Sequence, residues 1–424
     1  MHLNAPAPRI LATGGYQMDN FGDLLLLLVT EHYLREAKVV AAGAFLASAS
    51  TDMKPLLDRE TDGYGPLLEK ERFDAIWTVG GELCADLGQR GGDLQHAFWI
   101  AATEDAYREF EKATNDAERD AVLYRATGGS PIIHPDMPSP AEYPPNAGSV
   151  SVLNSAGIAH ILDVPSAQRA AVISLLRGTT YISIRDRRSS ELLDMLEIEH
   201  SLVPDAVHAI SVTHPRERSS GSDYAIVQMS DTLLSRLGTM NVAQSLMRSR
   251  TLRGLPIRIL VAGTIGRSPA FQSNAEVRKF VKDTSPNTDI EVIEERRPFD
   301  LVEQIAGARL TIGTSLHLRI VSAAYNVPRV SLADLNPKVN RYAGLWDHDM
   351  PYDASIGALD HAIDHALALA DDPETVRHST KLSTLAHENL EALAEKVLAP
   401  SPEPTEAEWK NRSAQRQAYR MQSS

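Results

Sequence analysis

Short apolar segments alternate with longer helical patterns along most of the chain, and this alternation constrains the fold more than any other feature. It is typical of parallel sheets whose two faces are covered by helices. In the first half of the sequence the candidate strands are Arg9–Thr13, Val39–Ala42, Ala75–Val79, Ser151–Asn154 and Tyr181–Ile184. In the second half they are Tyr224–Met229, Ile257–Ala262, Ile290–Ile293, Leu310–Ile312 and Arg329–Ser331. The pattern therefore predicts an α/β fold with two successive parallel sheets.

A polar stretch rich in glycine and serine, Thr213–Asp223, separates the two series of strands. Its composition is typical of a linker. We therefore predict two Rossmann-like domains, at residues 1–212 and 223–399, followed by a flexible tail at 400–424. Two such domains joined by one linker enclose a cleft, where a ligand is expected to bind. The last helical pattern, Pro373–Leu398, is expected to pack across both domains.

The composition argues against several classes of protein. The formal net charge of -14 disfavours non-specific binding to nucleic acid or to a membrane surface, because both require a basic face. The single cysteine, Cys84, cannot form an intrachain disulfide, which fits a reducing compartment. The longest apolar run, Leu24–Val29, is too short to span a bilayer, and the N-terminus lacks the apolar segment of a signal peptide. We expect a cytoplasmic protein.

Several common catalytic motifs are absent from the sequence. There is no Gly-x-Ser-x-Gly elbow, no P-loop, no His-Glu-x-x-His and no pair of cysteines. Serine hydrolase, kinase-like and structural zinc interpretations therefore lack support. We expect neither a metal ion nor a cofactor, and an anionic substrate would need basic residues gathered locally.

Two glycine-bearing turns follow candidate strands of the first half. Glycine lets the backbone approach a ligand closely, and the amides at the start of the following helix can bind an anion. The candidate binding residues are Gly15, Asn20, Gly22, Asp23, Gly80 and Gly81. The spacing is not G-x-G-x-x-G, so a nicotinamide cofactor is not indicated. The alternative interpretation is a pair of tight connections, with Asp23 as a helix cap.

A cluster of arginines follows the strand Tyr181–Ile184, at Arg185, Arg187 and Arg188. Ligands bind at the carboxyl ends of parallel strands, and arginine suits forked recognition of a carboxylate or phosphate. In the alternative interpretation Asp186 caps the next helix and the arginines are solvated.

A histidine, His317, lies where the buried strand Leu310–Ile312 passes through small residues into a helix. Histidine at such a junction is a candidate for proton transfer, although a lone histidine is often structural. Lys338 and Arg341 follow the next strand. The three residues together predict a local basic site in the second domain. Asp205, after another short strand, either faces the cleft or lies in a turn.

Taken in order, these segments resemble the polysaccharide pyruvyl transferase family over most of residues 9–342. The matching segments are Asn20-Phe21-Gly22-Asp23, Gly80-Gly81, Arg185-Asp186-Arg187-Arg188-Ser189, Pro204-Asp205, Ser315-Leu316-His317, Asn326-Val327-Pro328 and Lys338. The resemblance implies a GT-B-like pairing of two Rossmann-like domains, with the acceptor on the first and the donor on the second.

The family forms a pyruvate ketal on a sugar, with phosphoenolpyruvate as the donor and phosphate as the leaving group. The resemblance implies a cell-surface polysaccharide or its lipid-linked precursor as the acceptor. It also implies a catalytic set of His317, Arg185 and Asp186. The implied substrate-binding set is Gly15, Asn20, Gly22, Asp23, Gly80, Gly81, Arg187, Asp205, Ser315, Arg319, Lys338 and Arg341.

One position departs from the family pattern. Ser315 stands where the family has an arginine, two residues before the histidine, and serine supplies no charge. Arg319 lies two residues after His317, which places it on a different face of a helix. Either the donor differs, or Lys338, Arg341 or Arg187 compensates, or the site is degenerate. The competing hypotheses are a GT-B glycosyltransferase that uses a nucleotide sugar and a non-catalytic glycan-binding protein.

Overall fold

The computed structural model describes residues 7–15, 19–42, 51–83, 104–126, 136–163, 166–216, 223–263, 270–333 and 337–399. The strands are β1 (Arg9–Thr13), β2 (Lys38–Ala41), β3 (Thr51–Asp52), β4 (Glu60–Thr61), β5 (Ala75–Thr78), β6 (Gly81–Glu82), β7 (Val150–Gly157), β8 (Tyr181–Ile184), β9 (Ser201–Leu202), β10 (Ala225–Gln228), β11 (Ile257–Leu260), β12 (Ile290–Val292), β13 (Leu310–Gly313) and β14 (Arg329–Ser331).

The α-helices cover Phe21–Tyr33, Lys54–Leu57, Tyr64–Lys70, Glu104–Lys112, Asp116–Ala126, Ser166–Gly178, Arg187–Met195, Ile210–Thr213, Asp231–Leu237, Thr239–Arg248, Ala270–Thr284, Pro298–Ala306, Leu316–Ala324, Lys338–Trp346, Leu359–Ala368 and Pro373–Leu398. Single turns of 3-10 helix lie at Pro140–Glu142, Pro144–Asn146, Ala159–Asp163, Ala206–Ala209, Leu252–Gly254 and Ile356–Ala358.

The first sheet has the strand order β2-β1-β5-β7-β8-β9, and β6 pairs with the end of β7. These pairings are parallel, while β3 and β4 form a separate antiparallel pair. All four residues of β5 are buried, as expected for a strand that is covered on both faces. The strand order reverses between β1 and β5. The carboxyl ends of these two strands therefore flank a crevice that can take a ligand.

The second sheet is also parallel, with the order β12-β11-β10-β13-β14. Its strand order reverses between β10 and β13, so a second crevice opens at their carboxyl ends. The two sheets are separate, which confirms the predicted α/β architecture. The predicted boundaries at 212 and 223 stay a prediction.

A shared hydrophobic core joins the two halves. One buried cluster contains Trp77 of the first sheet together with Ile226 of the second sheet. The C-terminal helix Pro373–Leu398 adds Leu390 to this cluster and contacts helices of both halves. Its Asn389 side chain also donates a hydrogen bond of 2.9 Å to Asn154 Oδ1. This arrangement confirms the expectation that the last helix packs across both halves.

Residues 104–126 contain two helices, Glu104–Lys112 and Asp116–Ala126, because Asn115 accepts a hydrogen bond from the Glu118 backbone N–H at 3.0 Å and starts the second one. The proline-rich stretch that follows forms two 3-10 turns, Pro140–Glu142 and Pro144–Asn146. Asn146 anchors them by accepting from Phe73 N–H at 2.8 Å and donating to the carbonyl of Leu68 at 2.8 Å.

Some expectations fall on residues outside the described ranges: the middle of the predicted linker, Cys84 and the tail at 400–424. Across the described ranges, no helix is both long enough and apolar enough to cross a bilayer.

Candidate active site

The loop before the first helix belongs to the N-terminal half and contacts the second half of the chain directly. Asn20 and Gly263 form an isolated antiparallel bridge, and Phe21 N–H donates to the carbonyl of Ala262 at 2.9 Å. Asp19 forms an ion pair with Arg296. As a result, the start of the helix Phe21–Tyr33, at the end of β1, lies against the carboxyl ends of the second sheet.

His317 reaches across this junction from the first turn of the helix Leu316–Ala324. Its imidazole ring rests on Gly22, where an added β-carbon would overlap the ring. On the other side, Nε2 lies 3.7 Å from Asp205 Oδ2, which is an ion-pair distance rather than a hydrogen bond. Nε2 is buried and has no hydrogen-bond partner in the described part of the chain. The ring is therefore held between a glycine and a carboxylate of the N-terminal half.

Asp205 is fully buried and binds several groups at once. Oδ2 accepts from an Arg185 guanidinium N–H at 2.6 Å, and Oδ1 accepts from Val207 N–H at 2.9 Å. Burial opposes its ionisation, but His317, Arg185 and the Val207 amide outweigh that effect and hold the pKa of Asp205 well below its usual range. The Asp205 N–H in turn donates to the Tyr342 hydroxyl at 3.0 Å. Asp205 is thus a fixed negative charge facing His317.

The Arg185 guanidinium is 3% exposed and contacts two carboxylates. It donates to Asp205 at 2.6 Å and to Glu82 Oε2 at 3.1 Å. Burial would lower the pKa of Arg185, but the two carboxylates outweigh it and raise that pKa. The carbonyl of Arg185 accepts a hydrogen bond of 2.7 Å from Trp346 Nε1. In this structure Arg185 therefore forms ion pairs with two carboxylates near His317. Its direct contact with the donor substrate stays a prediction.

Asp23 lies beside the same group of residues, at the turns that end β1 and β5. Its Oδ2 accepts a hydrogen bond of 2.6 Å from Asn20 Nδ2. Asn20, not Asp23, caps the helix, because its side chain accepts from Gly22 N–H at 3.2 Å. Burial raises the pKa of Asp23 above its ordinary value, although nearby His317 opposes the shift. The interpretation of Asp23 as the helix cap was therefore wrong.

The second glycine turn has a conformation that requires glycine. Gly80 and Gly81 have φ angles of 116° and 107°, a region that L side chains rarely adopt. A β-carbon on Gly80 would also lie 2.7 Å from the carbonyl oxygen of Asn154. The turn also packs against Asp23: a β-carbon added to Gly81 would lie 3.4 Å from Asp23 Oδ1. The Gly80-Gly81 turn thus contacts one side of the Asp23 carboxyl group.

The sequence that carries these segments matches one protein family. A sequence profile described as Polysaccharide pyruvyl transferase matches residues 20–336. The chain belongs to the polysaccharide pyruvyl transferase family. A search of curated proteins finds no match to the sequence.

Several solved structures have a similar fold. A protein from Listeria monocytogenes described as a UDP-N-acetylglucosamine 2-epimerase is 11% identical, with a TM-score of 0.52 over 94% of this chain and 98% of its own. The Neisseria meningitidis UDP-GlcNAc 2-epimerase bound to UDP-GlcNAc is 9% identical, with a TM-score of 0.50 over 92% and 100%. S. aureus MnaA with UDP is 11% identical, with a TM-score of 0.50 over 94% and 99%. At these identities the similarity shows the fold alone, which is the GT-B fold.

The family member described here uses Ser315 for local structure. Ser315 Oγ accepts from Leu318 N–H at 3.3 Å and so caps the helix that carries His317. The backbone amides of Thr314 and Ser315 both donate to Gln228 Oε1, at 2.9 and 2.8 Å. Ser315 therefore fixes the start of the helix and supplies no charge to the site.

The structure brings some of the remaining candidate residues to the site and not others. Lys338 starts the helix Lys338–Trp346 and acts electrostatically on Asp23. Arg341 is partly exposed one turn further along the same helix. Asp186 caps the helix Arg187–Met195 by accepting from Ser189 N–H at 2.9 Å, and Arg187 is exposed at its start. Asp186 thus makes the contacts of a helix cap, and its catalytic role stays a prediction.

Arg319 points away from the site and is 2% exposed. Its guanidinium donates to Ser331 Oγ at 3.0 Å and to the carbonyls of Asp347, Met350 and Pro351 at 2.8 to 2.9 Å. These contacts hold a loop of the second half in place. The structure therefore does not place Arg319 among the residues around His317.

Sequence reasoning missed four residues of the site. Glu82 binds Arg185, Tyr342 and Trp346 hold the backbone around Asp205 and Arg185, and Gln228 binds the amides before His317. Glu82 directly follows the Gly80-Gly81 turn, so its position was a usable signal. Among the described residues, no group of three or more His, Cys, Asp and Glu side chains is arranged to hold a metal ion.

The contact between Gly22 and His317 leads to a testable expectation. In Gly22→Ala the new methyl group would overlap the imidazole, so the ring must move by an ångström or more. A displacement of that size at a reacting group can cost about 100-fold in rate. Alanine favours a helix over glycine by up to about 1 kcal/mol, so the fold should persist. We expect turnover to fall by about 100-fold while the melting temperature changes little.

Gly178→Ala is the matched control, because an added β-carbon there meets nothing within 4 Å. It should keep wild-type turnover. If Gly22→Ala also kept wild-type turnover, the exact position of the His317 ring would not matter for the reaction.

Proposed function

We propose that this protein transfers a pyruvyl group from phosphoenolpyruvate to two hydroxyls of a sugar, forming a pyruvate ketal and releasing phosphate. The acceptor is a sugar of a cell-surface polysaccharide or of its lipid-linked precursor, and we place the reaction in the cytoplasm. The observation that supports the proposal best is His317, held between Gly22 and Asp205 where the two crevices meet.

The reaction requires a group that accepts and releases protons near the sugar hydroxyls. With Nε2 facing the Asp205 carboxylate, the neutral ring is expected to carry its proton on that nitrogen. Nδ1, the ring atom nearest Gly22, then keeps its lone pair, and we assign it to the hydroxyl proton. Asp205 thus positions the ring, with its carboxylate facing Nε2, without touching the substrate.

The donor carries a carboxylate and a phosphate, so it requires positive charge. Arg185 already contacts Asp205 and Glu82, and we assign Lys338 and Arg341 to the donor. Both lie on one helix, Lys338–Trp346, which follows β14 in the chain. The electrostatic effect of Lys338 on Asp23 supports this assignment.

The test is an assay with two donors. The protein is incubated with phosphoenolpyruvate and a panel of sugars and lipid-linked glycans, and phosphate release is followed together with the mass of the acceptor. A parallel series contains UDP- and GDP-sugars, and nucleotide release is followed. Phosphate release that depends on an acceptor, with a pyruvylated product, would support the proposal. Nucleotide release alone would show a glycosyltransferase, and glycan binding without either reaction would show a non-catalytic protein.

A further inference from the structure

The two carboxyl oxygens of Asp23 have different surroundings. Oδ2 accepts the hydrogen bond from Asn20, and an added β-carbon on Gly15 would lie only 3.2 Å from it. Oδ1 faces Gly81 and has no hydrogen-bond partner within the described ranges. Asn20 thus fixes the carboxyl group from one side. The other oxygen is left available to a substrate.

Asp23 also adjoins His317 across the junction of the two halves, because its neighbour Gly22 supports the imidazole ring. The charged groups that act on Asp23 come from both halves: Arg185 and Asp205 from the first, His317 and Lys338 from the second. Burial is the largest influence and raises the pKa of Asp23. Asp205 adds to that shift, and the three basic groups oppose it. A carboxyl group with a raised pKa can hold a proton and act as a general acid.

We infer that Asp23 is a second proton-transfer residue, which acts from the N-terminal half opposite His317. The inference rests on the proposed pyruvyl transfer. In that reaction the methylene carbon of phosphoenolpyruvate gains a proton while the attacking hydroxyl loses one. One residue must therefore start protonated and the other unprotonated.

Protons balance if Asp23 starts protonated and His317 starts neutral. In the first step a sugar oxygen bonds to C2 of the donor, and His317 takes the hydroxyl proton. The C2=C3 double bond opens at the same time, and Asp23 protonates C3. In the second step the bond from C2 to the phosphate oxygen breaks, and His317 gives its proton to the departing phosphate. The second hydroxyl then bonds to C2, the Asp23 carboxylate takes its proton, and both residues return to their starting states.

A proton on Asp23 also helps the donor to bind. Asp23, Glu82 and Asp205 all contribute carboxyl groups to the site, and Arg185 already contacts two of them. An ionised Asp23 would repel the anionic donor. A protonated Asp23 would not, and it could donate a hydrogen bond instead.

The first test is the kinetics of Asp23→Asn with an acceptor found by the assay above. Asparagine keeps an oxygen for the Asn20 amide but cannot transfer a proton. We expect kcat to fall by about 100- to 10,000-fold, with the KM for phosphoenolpyruvate near the wild-type value, because asparagine is uncharged like the protonated Asp23. If kcat stayed at the wild-type value while the KM for the sugar rose, Asp23 would be a binding residue only and the inference would fail.

The second test does not depend on activity. A carboxyl group whose folded pKa lies above its unfolded value stabilises the fold at low pH, and that contribution is lost as the pH rises through the folded pKa. Asp23→Asn should therefore melt at a higher temperature than wild type near neutral pH, and the difference should shrink as the pH falls toward 4. Asp62→Asn, at an exposed position, should track wild type throughout.

The two tests separate failure of the inference from failure of the proposed function. Absence of phosphate release by wild type would overturn pyruvyl transfer, and the melting curves would still decide whether Asp23 holds a proton. If Asp23→Asn melted in parallel with wild type at every pH, the raised pKa would be refuted and the inference overturned. A variant that is stabilised near neutral pH and also slow would support it.

Discussion

The His317→Gln variant is expected to fold normally and to lose about 100- to 10,000-fold in turnover, the range for a positioned general acid or base. Glutamine resembles histidine in size and polarity but cannot take a proton from a hydroxyl and return it to phosphate. Because Nε2 makes no hydrogen bond in the described part of the chain, its loss should leave stability nearly intact. The measurement is phosphate release from phosphoenolpyruvate per folded molecule, together with the melting temperature.

His361→Gln provides the matched control, since His361 is an exposed histidine on the helix Leu359–Ala368. It should keep wild-type turnover. A purely structural His317 predicts the opposite pattern for His317→Gln: a lower melting temperature and an unchanged rate per folded molecule. A folded, fully active His317→Gln variant would remove the residue from the mechanism.

His317 could be found from the sequence because local chemistry fixes its position. A buried strand, a glycine and small residues, then a helix, place the next side chain at the carboxyl edge of a parallel sheet wherever that sheet lies. The glycine turns at Gly15 and Gly80-Gly81 were predictable for the same reason. The strand order then determines that both turns belong to one crevice, since β1 and β5 lie side by side.

The partners of these residues could not be read from the sequence. Arg185 is 20 positions from Asp205 and 103 from Glu82, and no local pattern states that the three side chains meet. An arginine at a strand end can equally bind a substrate or a buried carboxylate. The same ambiguity affected Asp186, because an acidic residue at a strand-to-helix junction suits a cap as well as a catalytic site.

The position of Arg319 could not be predicted from the sequence, because burial in the core determines it. Arg319 lies two residues after His317, which turns it to another side of the helix. That side faces the core, where carbonyl groups of residues 347–351 need donors. Tertiary packing brings these carbonyl groups to Arg319, and no residue near Arg319 in the sequence indicates it. A buried arginine that is bound by backbone carbonyl groups is thus indistinguishable, in sequence, from one that binds a ligand.

The Arg185→Ala variant is expected to lose about 3–5 kcal/mol of stability, the usual cost of removing one partner from a buried ion pair. Asp205 is fully buried and Glu82 is largely buried, so both would lose their main positive partner. A shift of the denaturation midpoint in urea measures the effect. Arg250→Ala is the control, because its side chain is 68% exposed and its pair with Asp364 lies in solvent. Such a surface pair contributes only about 0–1 kcal/mol.

The stability of Arg185→Ala also distinguishes two roles for Arg185, binding of the donor substrate and pairing with Asp205. A donor-binding arginine would lose affinity for phosphoenolpyruvate by about 1.5–3 kcal/mol, measurable by calorimetric titration, while the denaturation midpoint stayed near that of wild type. An arginine that holds Asp205 instead loses stability first. Its neutral double variant, Arg185→Met with Asp205→Asn, should be more stable than Arg185→Ala alone, because no unpaired charge then remains on Asp205. If the double variant were less stable than Arg185→Ala, the Asp205 carboxylate would not be the source of the cost.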